Sequence, residues 1–163
     1  PNMIFIKSLP REKNKDYKKI YKNKVKVNFI GRLGMFPSNL QSTMKKLTEA
    51  TKNHKNYIIN FAMAYGGRAE IIDATRKIAK AIKQNKIDVN QVNEKLFAKQ
   101  LYTSSEPDLV IRTSGEKRTS GFLLYHGPYS EWMFLDKFWP EFEKTDLVAA
   151  VNEYKSRERR FGK

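Results

Sequence analysis

The stretch "NYIINFAMAYGGRAEIIDATRKIAKAIK", Asn56 to Lys83, changes its periodicity at the glycine pair. Its first half is a continuous apolar run, the pattern of a strand covered on both faces in a parallel sheet. Its second half, a helix expected over Arg68–Asn85, places Ile71, Ala74, Ile78, Ala81 and Ile82 on one stripe. Glu70 and Asp73 stand near the start and lysines toward the end, where they complement the helix macrodipole. A strand that turns through glycine into an amphipathic helix is the repeating half of an α/β fold. The turn itself, "YGGR", reads either as an anion-binding helix start or as a turn alone.

Reading outward, Val25 to Ile30 is a short apolar-rich run ended by "GRLGMFP", a strand meeting a glycine-punctuated loop. Ser38 is the expected N-cap of a helix to about Asn53, with Leu40, Met44, Leu47 and Thr51 on its buried face. Downstream, a shorter helix is expected from about Asn90 to Lys99, a strand over Leu109–Ile111 and another over Glu131–Phe134. A last helix, Asp146 to Arg160, would turn Leu147, Ala150, Val151 and Tyr154 inward. The aromatics of "EWMFLDKFWPEF" (Trp132, Phe134, Phe138, Trp139 and Phe142) read as core. The whole is α/β, a mostly parallel central sheet flanked by helices, in a single domain over 1–163. Within it, residues 1–23, with the apolar run Met3–Ile6 and a basic continuation, read as a linker or a frayed helix.

A length of 163 residues fits one domain, and a hydrophobic fraction of 40% is ordinary for a folded chain. No apolar run approaches the ~18–20 residues of a membrane-spanning helix. The sequence has no cysteine, which removes disulfides and thiolate metal sites, and His54 and His126 lack carboxylates at zinc-ligand spacing. The first residues lack the pattern of a signal peptide, so a cytoplasmic location is expected. The formal charge of +15 suits polyanions, anionic lipid surfaces or phosphorylated small molecules, although lysines scattered among asparagines also make an ordinary solvated surface.

Chemistry concentrates where the strand of "DLVIRTSGEKRTSGF" ends, because ligands of a parallel sheet bind outside the carboxyl ends of its strands. Arg112 and Arg118 offer planar forks for phosphoryl oxygens; Ser114, Thr119 and Ser120 add hydroxyls; and Gly115 would let backbone N–H groups approach an anion. Together they suit a diphosphate. The bland alternative is a polar loop whose arginines pair with surface carboxylates. Glu131, in "YSEWMF", is placed to face the diphosphate across a Mg²⁺ ion, which prefers one or two carboxylates plus phosphate oxygens; the alternative is an exposed glutamate before an aromatic run. No Walker loop, G-x-G-x-x-G, nucleophile elbow or Asp-Asp-x-x-Asp motif is found.

The segments "NFAMAYGGRAEI", "PDLVIRTSGEKRTSGFLL", "YSEWMF", "WPEF" and "RERRFG" occur in the order and approximate spacing of the cis-prenyltransferases, which the chain resembles from about Lys24 to Lys163. The resemblance implies the undecaprenyl diphosphate synthase-like fold and Mg²⁺-dependent condensation of isopentenyl diphosphate onto an allylic diphosphate, giving a long-chain polyprenyl diphosphate. It implies that Arg112, Arg118, Thr119 and Ser120 hold the isopentenyl diphosphate and that Glu131 is a metal ligand. It further implies a homodimer, with a heterodimer as the alternative, in which Arg160 and Gly162 reach the partner's site. Peripheral membrane contact accords with it; nucleic acid is not expected.

Three departures accompany the likeness. Tyr125 and His126 replace a usual Trp-Gln, and Arg32 stands where an aspartate commonly follows the first glycine; altered packing is expected from both. Lys7, Ser8 and Leu9 stand where the family has the Asp-Gly-Asn of its catalytic loop, so no catalytic aspartate is assigned here. On this reading the sequence is a carboxyl-terminal portion of such an enzyme, or a partner subunit that does not perform the reaction alone. A basic nucleic-acid-binding domain is the alternative from a different class.

Overall fold

The computed structural model describes residues 15–157, and the chain forms two units. The first comprises residues up to Ser105 together with Gly121–Tyr125, and the second Glu106–Ser120 with the residues from His126 onward. Part of the segment left open as linker or frayed helix is helical, α1 (Lys15–Lys22), and buries Ile20. Met3–Ile6 lies outside the described residues.

In the first unit, β1 (Val25–Ile30), α2 (Ser38–Thr51) and β2 (Tyr57–Ala62) form a strand–helix–strand unit, and the strands pair in parallel from Val25↔Tyr57 to Ile30↔Ala62. Val27, Phe61 and Leu47 pack with Val25 and Ile20, flanked by Phe29, Ile59 and Met63. Burial at this density supplies the main favourable term of the fold. Thr51 fixes the helix to the sheet: its hydroxyl donates to the Leu47 carbonyl at 2.9 Å and accepts the Val27 N–H at 3.0 Å. A strand N–H thereby finds a side-chain partner inside the core.

Two expectations are corrected here. Pro37, not Ser38, occupies the cap position of α2, with φ −56° and ψ 148°, and its carbonyl accepts from the N–H groups of Leu40 and Gln41. The proline ring holds the extended geometry a cap needs, and Ser38 becomes the first helical residue. The apolar run of β2 is not covered throughout: Tyr57 is 59% exposed, and burial is reached only at Asn60 and Phe61. The helix-side core meets the later half of the strand, and Asn60 satisfies its amide oxygen on the Asn28 Nδ2 at 2.9 Å.

After β2 the chain turns through Gly66 into α3 (Gly67–Lys83), which buries Ala74 and Ile78, with Ile71, Ala81 and Ile82 half-buried. Gly67 belongs to packing. Its N–H donates to the Gly121 carbonyl at 3.1 Å, and a Cβ at this position would lie 2.2 Å from that oxygen and 2.9 Å from Leu124 Cγ. The N–H of the second glycine of "YGGR" is thus already paired within the fold. The same docked segment fully buries Leu123 and sets Phe122 edge-on against Tyr65, ring centroids 5.3 Å apart.

The acids expected to serve the helix dipole have further work. Glu70 is completely buried and accepts from the Tyr65 hydroxyl and, at 2.9 Å, from the Tyr102 N–H. Burial, followed by contact with Glu70, raises the Tyr65 pKa, so the phenol stays a donor. Asp73 receives a fork from Arg32, Nε at 2.9 Å and Nη2 at 3.0 Å, and the Tyr102 hydroxyl. The altered packing expected at Arg32 is thus an ion pair to α3. The Arg32 fork first, and then the Tyr102 hydroxyl, lower the Asp73 pKa from 3.8 to about 2. A shorter helix, α4 (Glu94–Ala98), is capped by Asn93, whose side chain accepts the Leu96 N–H at 2.9 Å.

In the second unit β3 (Leu109–Arg112) and β4 (Glu131–Phe134) pair in parallel, Leu109↔Glu131 to Arg112↔Phe134. The final helix, α5 (Lys144–Ser156), begins two residues earlier than expected because Asp146 closes its first turn, accepting from the Glu143 N–H at 2.8 Å and from Lys137 at 2.7 Å. It ends at Ser156, where Arg157 turns extended with ψ 129°. Ala150 is buried and Val151 and Tyr154 half-buried, whereas Leu147 is 46% exposed. Phe138 and Trp139 are likewise exposed rather than core, lying at a short 3₁₀ turn outside the regular elements. Met133 provides the buried centre of β4, with Trp132 and Phe134 stacked on its other face at 6.1 Å.

Two measurements check this account. Gly67→Ala forces a methyl against a backbone carbonyl and should cost roughly 2–3 kcal/mol in urea unfolding, the upper range for overpacking. Asp73→Asn should lower stability at neutral pH. A carboxyl whose folded pKa lies below its unfolded value stabilises above about 4 and loses that contribution as pH falls toward about 2, so the gap between variant and parent should close over that interval.

Candidate functional site

The loop between β3 and Gly121 carries the groups singled out in the sequence. Arg112 ends β3, and its Nη1 donates to Ser120 Oγ at 2.9 Å and to the Arg118 carbonyl. A guanidinium at a strand end thus gathers the far side of the loop onto itself. Ser114, Gly115 and Ser120 all take positive φ (79°, 69° and 48°), so the loop is folded tightly. Left-handed backbone is unusual for serine, and its concentration in one loop is the strain often found at binding sites.

The backbone N–H groups do not form the expected anion cradle. Ser114 N–H donates to the Lys137 carbonyl at 2.7 Å and Gly115 N–H to the Leu135 carbonyl at 2.9 Å. Gly115 instead provides its left-handed turn, close to the Asp136 carboxylate. These two N–H groups are thereby taken, and the loop's side chains offer further donors. Arg118 Nη2 pairs with Glu116 at 2.7 Å, with the arginine side chain 68% exposed. A pair this exposed contributes little and is readily exchanged for a stronger anion. Thr119 and Ser120 are exposed beside it.

Glu131 is placed differently. It pairs with Leu109 at the start of the ladder, three residues from the level of Arg112. At about 3.3 Å per residue this is roughly 10 Å along the strands, and the alternation of side chains puts the two on opposite faces. The structure brings Arg112, Ser120 and the Arg118 backbone together but does not set Glu131 against them. Its carboxylate accepts instead from Arg157, Nη1 to Oε2 at 2.6 Å, while Arg157 Nη2 donates to Glu153 at 2.5 Å. Glu131 and then Glu153 raise the Arg157 pKa. Arg157 opens the "RERRFG" motif, but its pairing with Glu131 was not legible there; the signal for its ion pair at the end of α5 was the i,i+4 spacing of Glu153 and Arg157.

Among the described residues no three His, Asp or Glu side chains converge on a metal position. Glu131, 31% exposed at its side chain and shared with Arg157, supplies one carboxylate. That donor fits Mg²⁺ only in the mode where phosphate oxygens and water complete the shell. Arg160 and Gly162 lie outside the described residues, as do Lys7, Ser8 and Leu9.

A family model described as "Putative undecaprenyl diphosphate synthase" matches residues 3–162, covering both units and most of the first segment, beyond the Lys24 limit read from motifs. A tritrans,polycis-undecaprenyl-diphosphate synthase (geranylgeranyl-diphosphate specific) of Methanopyrus kandleri is 46% identical over 147 residues, covering 89% of this chain and 54% of the relative. Its counterpart from Thermoplasma volcanium is 46% identical over 164 residues, covering 99% of this chain and 61% of the relative. The chain therefore spans little more than half the length of these curated relatives. Among solved structures, lavandulyl diphosphate synthase from Lavandula x intermedia, in complex with dimethylallyl diphosphate, superposes with a TM-score of 0.86 at 32% identity, covering 91% of this chain and 66% of that one. A probable undecaprenyl diphosphate synthase from Campylobacter jejuni gives 0.77, also at 32% identity, covering 90% of this chain and 67% of that one. With the α/β architecture, the five ordered motifs and a match over nearly its whole length, the chain belongs to the cis-prenyltransferase family.

Proposed function

We propose that this chain serves cis-prenyl transfer, the condensation of isopentenyl diphosphate onto an allylic diphosphate to extend a polyprenyl diphosphate. The observation that carries the reading is the Arg112–Ser120 contact at the end of β3, within a motif that the family match includes. Arg112 is held at Nη1, which leaves the rest of its fork for a phosphoryl oxygen. Arg118 exchanges Glu116 for the diphosphate, and the hydroxyls of Ser120 and Thr119 donate to it. This is a side-chain site in which charge-assisted bonds supply most of the affinity.

In the reaction the allylic C–O bond breaks, the isopentenyl double bond forms the new C–C bond, and a proton is lost from the isopentenyl unit. The residues named here bind and orient the nucleophile's diphosphate, and orientation of this kind supplies a large share of such a rate enhancement. Glu131, which lies at the start of β4 and not at the Arg112 loop, would hold Mg²⁺ only together with a phosphate that reaches that end of the strand, where the ion's charge would offset part of that of the diphosphates. Geranylgeranyl diphosphate is the proposed allylic substrate, by analogy with the geranylgeranyl-diphosphate specificity of the relatives from Methanopyrus kandleri and Thermoplasma volcanium. A homodimer in which Arg160 and Gly162 reach the partner's site, and a cytoplasmic location with peripheral membrane contact, complete the proposal. No helix among the described residues is long and apolar enough to cross a membrane.

The test has two parts. Calorimetric titration of the chain with isopentenyl diphosphate should show saturable binding, weakened about tenfold or more by Arg112→Ala and by Arg118→Ala, since one charge-assisted bond is worth ~1.5–3 kcal/mol. Incorporation of radiolabelled isopentenyl diphosphate with geranylgeranyl diphosphate and Mg²⁺ should fall with the same variants. Unchanged affinity in both variants would remove the loop from the site. Incorporation that appears only after a second subunit is supplied would assign the chain to a heteromeric enzyme.

A further inference from the structure

At the end of the β3–β4 ladder away from the Arg112 loop, the end of α5 and the start of β4 meet at one guanidinium. Arg157 Nη1 donates to Glu131 Oε2 at 2.6 Å and lies 3.4 Å from the Trp132 carbonyl, while Nη2 donates to Glu153 Oε1 at 2.5 Å. Arg157 follows the last helical residue with extended backbone, ψ 129°, and its side chain folds back over the final turn of α5 to Glu153. Two carboxylates on two nitrogens of a planar fork leave that fork little freedom to rotate. The fork in turn fixes Glu131, whose backbone is already set by the ladder and by its N–H on the Asp108 carbonyl at 2.9 Å.

This pair differs in kind from the one in the loop. The side chains of Arg157 and Glu131 are 33% and 31% exposed, against 68% and 41% for Arg118 and Glu116, so solvent screens the pair less. Oε2 of Glu131 is committed to Arg157, which leaves Oε1 to a ligand. A bare divalent cation coming to Oε1 meets a carboxylate whose charge a guanidinium already offsets, and it is repelled by that guanidinium as well. A divalent cation that carries a diphosphate presents the opposite balance. The negative charge of the diphosphate exceeds the positive charge of the metal, so the complex as a whole is drawn toward Arg157.

From this arrangement we infer that Arg157 is a positioning residue for Glu131: it holds the carboxylate at the start of β4 and reserves it for a divalent ion that arrives with a diphosphate, against the bare ion. This role rests on the Mg²⁺ binding proposed above for Glu131. Mg²⁺ takes one or two carboxylates and completes its shell with phosphate oxygens and water, so a single immobilised oxygen suffices once the phosphate is present. Arg157 acts through Glu131, as an outer partner orients a metal ligand.

Titration of the chain with Mn²⁺, alone and with isopentenyl diphosphate, tests it, with water-proton relaxation enhancement reporting the protein-bound ion. The parent should bind Mn²⁺ at least ~10-fold more tightly when isopentenyl diphosphate is present. Arg157→Gln removes charge and fork together. It should bind bare Mn²⁺ about fivefold more tightly and Mn²⁺ with isopentenyl diphosphate about tenfold more weakly, two changes of opposite sign. Arg157→Lys restores the charge without the fork, so it should recover the parent's low affinity for bare Mn²⁺ but only part of that for the complex. Circular dichroism confirms folding of each variant, and if Arg157→Gln does not fold, the split between the two affinities in Arg157→Lys decides. Affinities for the bare ion and the complex that fall together, or that both stay at parental values, overturn the role of Arg157 and leave the metal at Glu131. Parental affinity for the complex in Glu131→Gln removes the metal from Glu131, and the role of Arg157 with it.

Discussion

The β3–β4 ladder does not stop at the last residue of the strand, and the character of the candidate site follows from that. The Arg112 carbonyl accepts the Leu135 N–H at 2.8 Å, and the N–H groups of Gly115 and Ser114 then go to the carbonyls of Leu135 and Lys137. These two backbone donors, of the kind a glycine-rich phosphate loop would aim at its ligand, are consumed in holding the turn. The loop's side chains offer an anion a guanidinium already oriented by Ser120, a second one on an exposed and weak pair, and two hydroxyls. Such a site is sharply defined at Arg112 and loosely defined at Arg118.

The first unit solves a different problem, that of burying carboxylates. Glu70, near the start of α3 where the helix dipole also favours negative charge, has no exposed surface and, among the described residues, is satisfied by the Tyr65 phenol and the Tyr102 N–H. Asp73, one turn on, is satisfied by Arg32 and the same Tyr102. The pair of acids thereby ties the end of β1, the start of α3 and the segment after α4 into one network. Arg32, a departure from the usual family residue, is accommodated because Asp73 meets its charge with a two-point contact.

Glu131 shows how far a motif can be carried without coordinates. Its position in "YSEWMF" accords with the family assignment, but within the unit its partner is Arg157, and its distance from Arg112 is set by strand register. Arg157 divides itself between Glu131 and Glu153 and so fastens the end of α5 to the start of β4. The carboxylate thus belongs first to an ion-pair chain, which any metal bound there would have to share.

The sequence by itself determined the alternation of strand and helix, because burying one face leaves a period that can be counted. The starts of β1, β3 and β4 and the buried residues Met44, Leu47, Thr51, Ala74 and Ile78 are where that period places them. It also carried the family, since five ordered motifs record chemistry as well as packing. Tertiary structure alone decided which polar atoms meet. That Gly67 yields to a carbonyl, that the Gly115 N–H is spent on the ladder and that Glu131 faces Arg157 all depend on strand register and on segments distant in sequence. Hydrogen bonds and ion pairs act over a few ångströms, and no pattern along the chain encodes such distances.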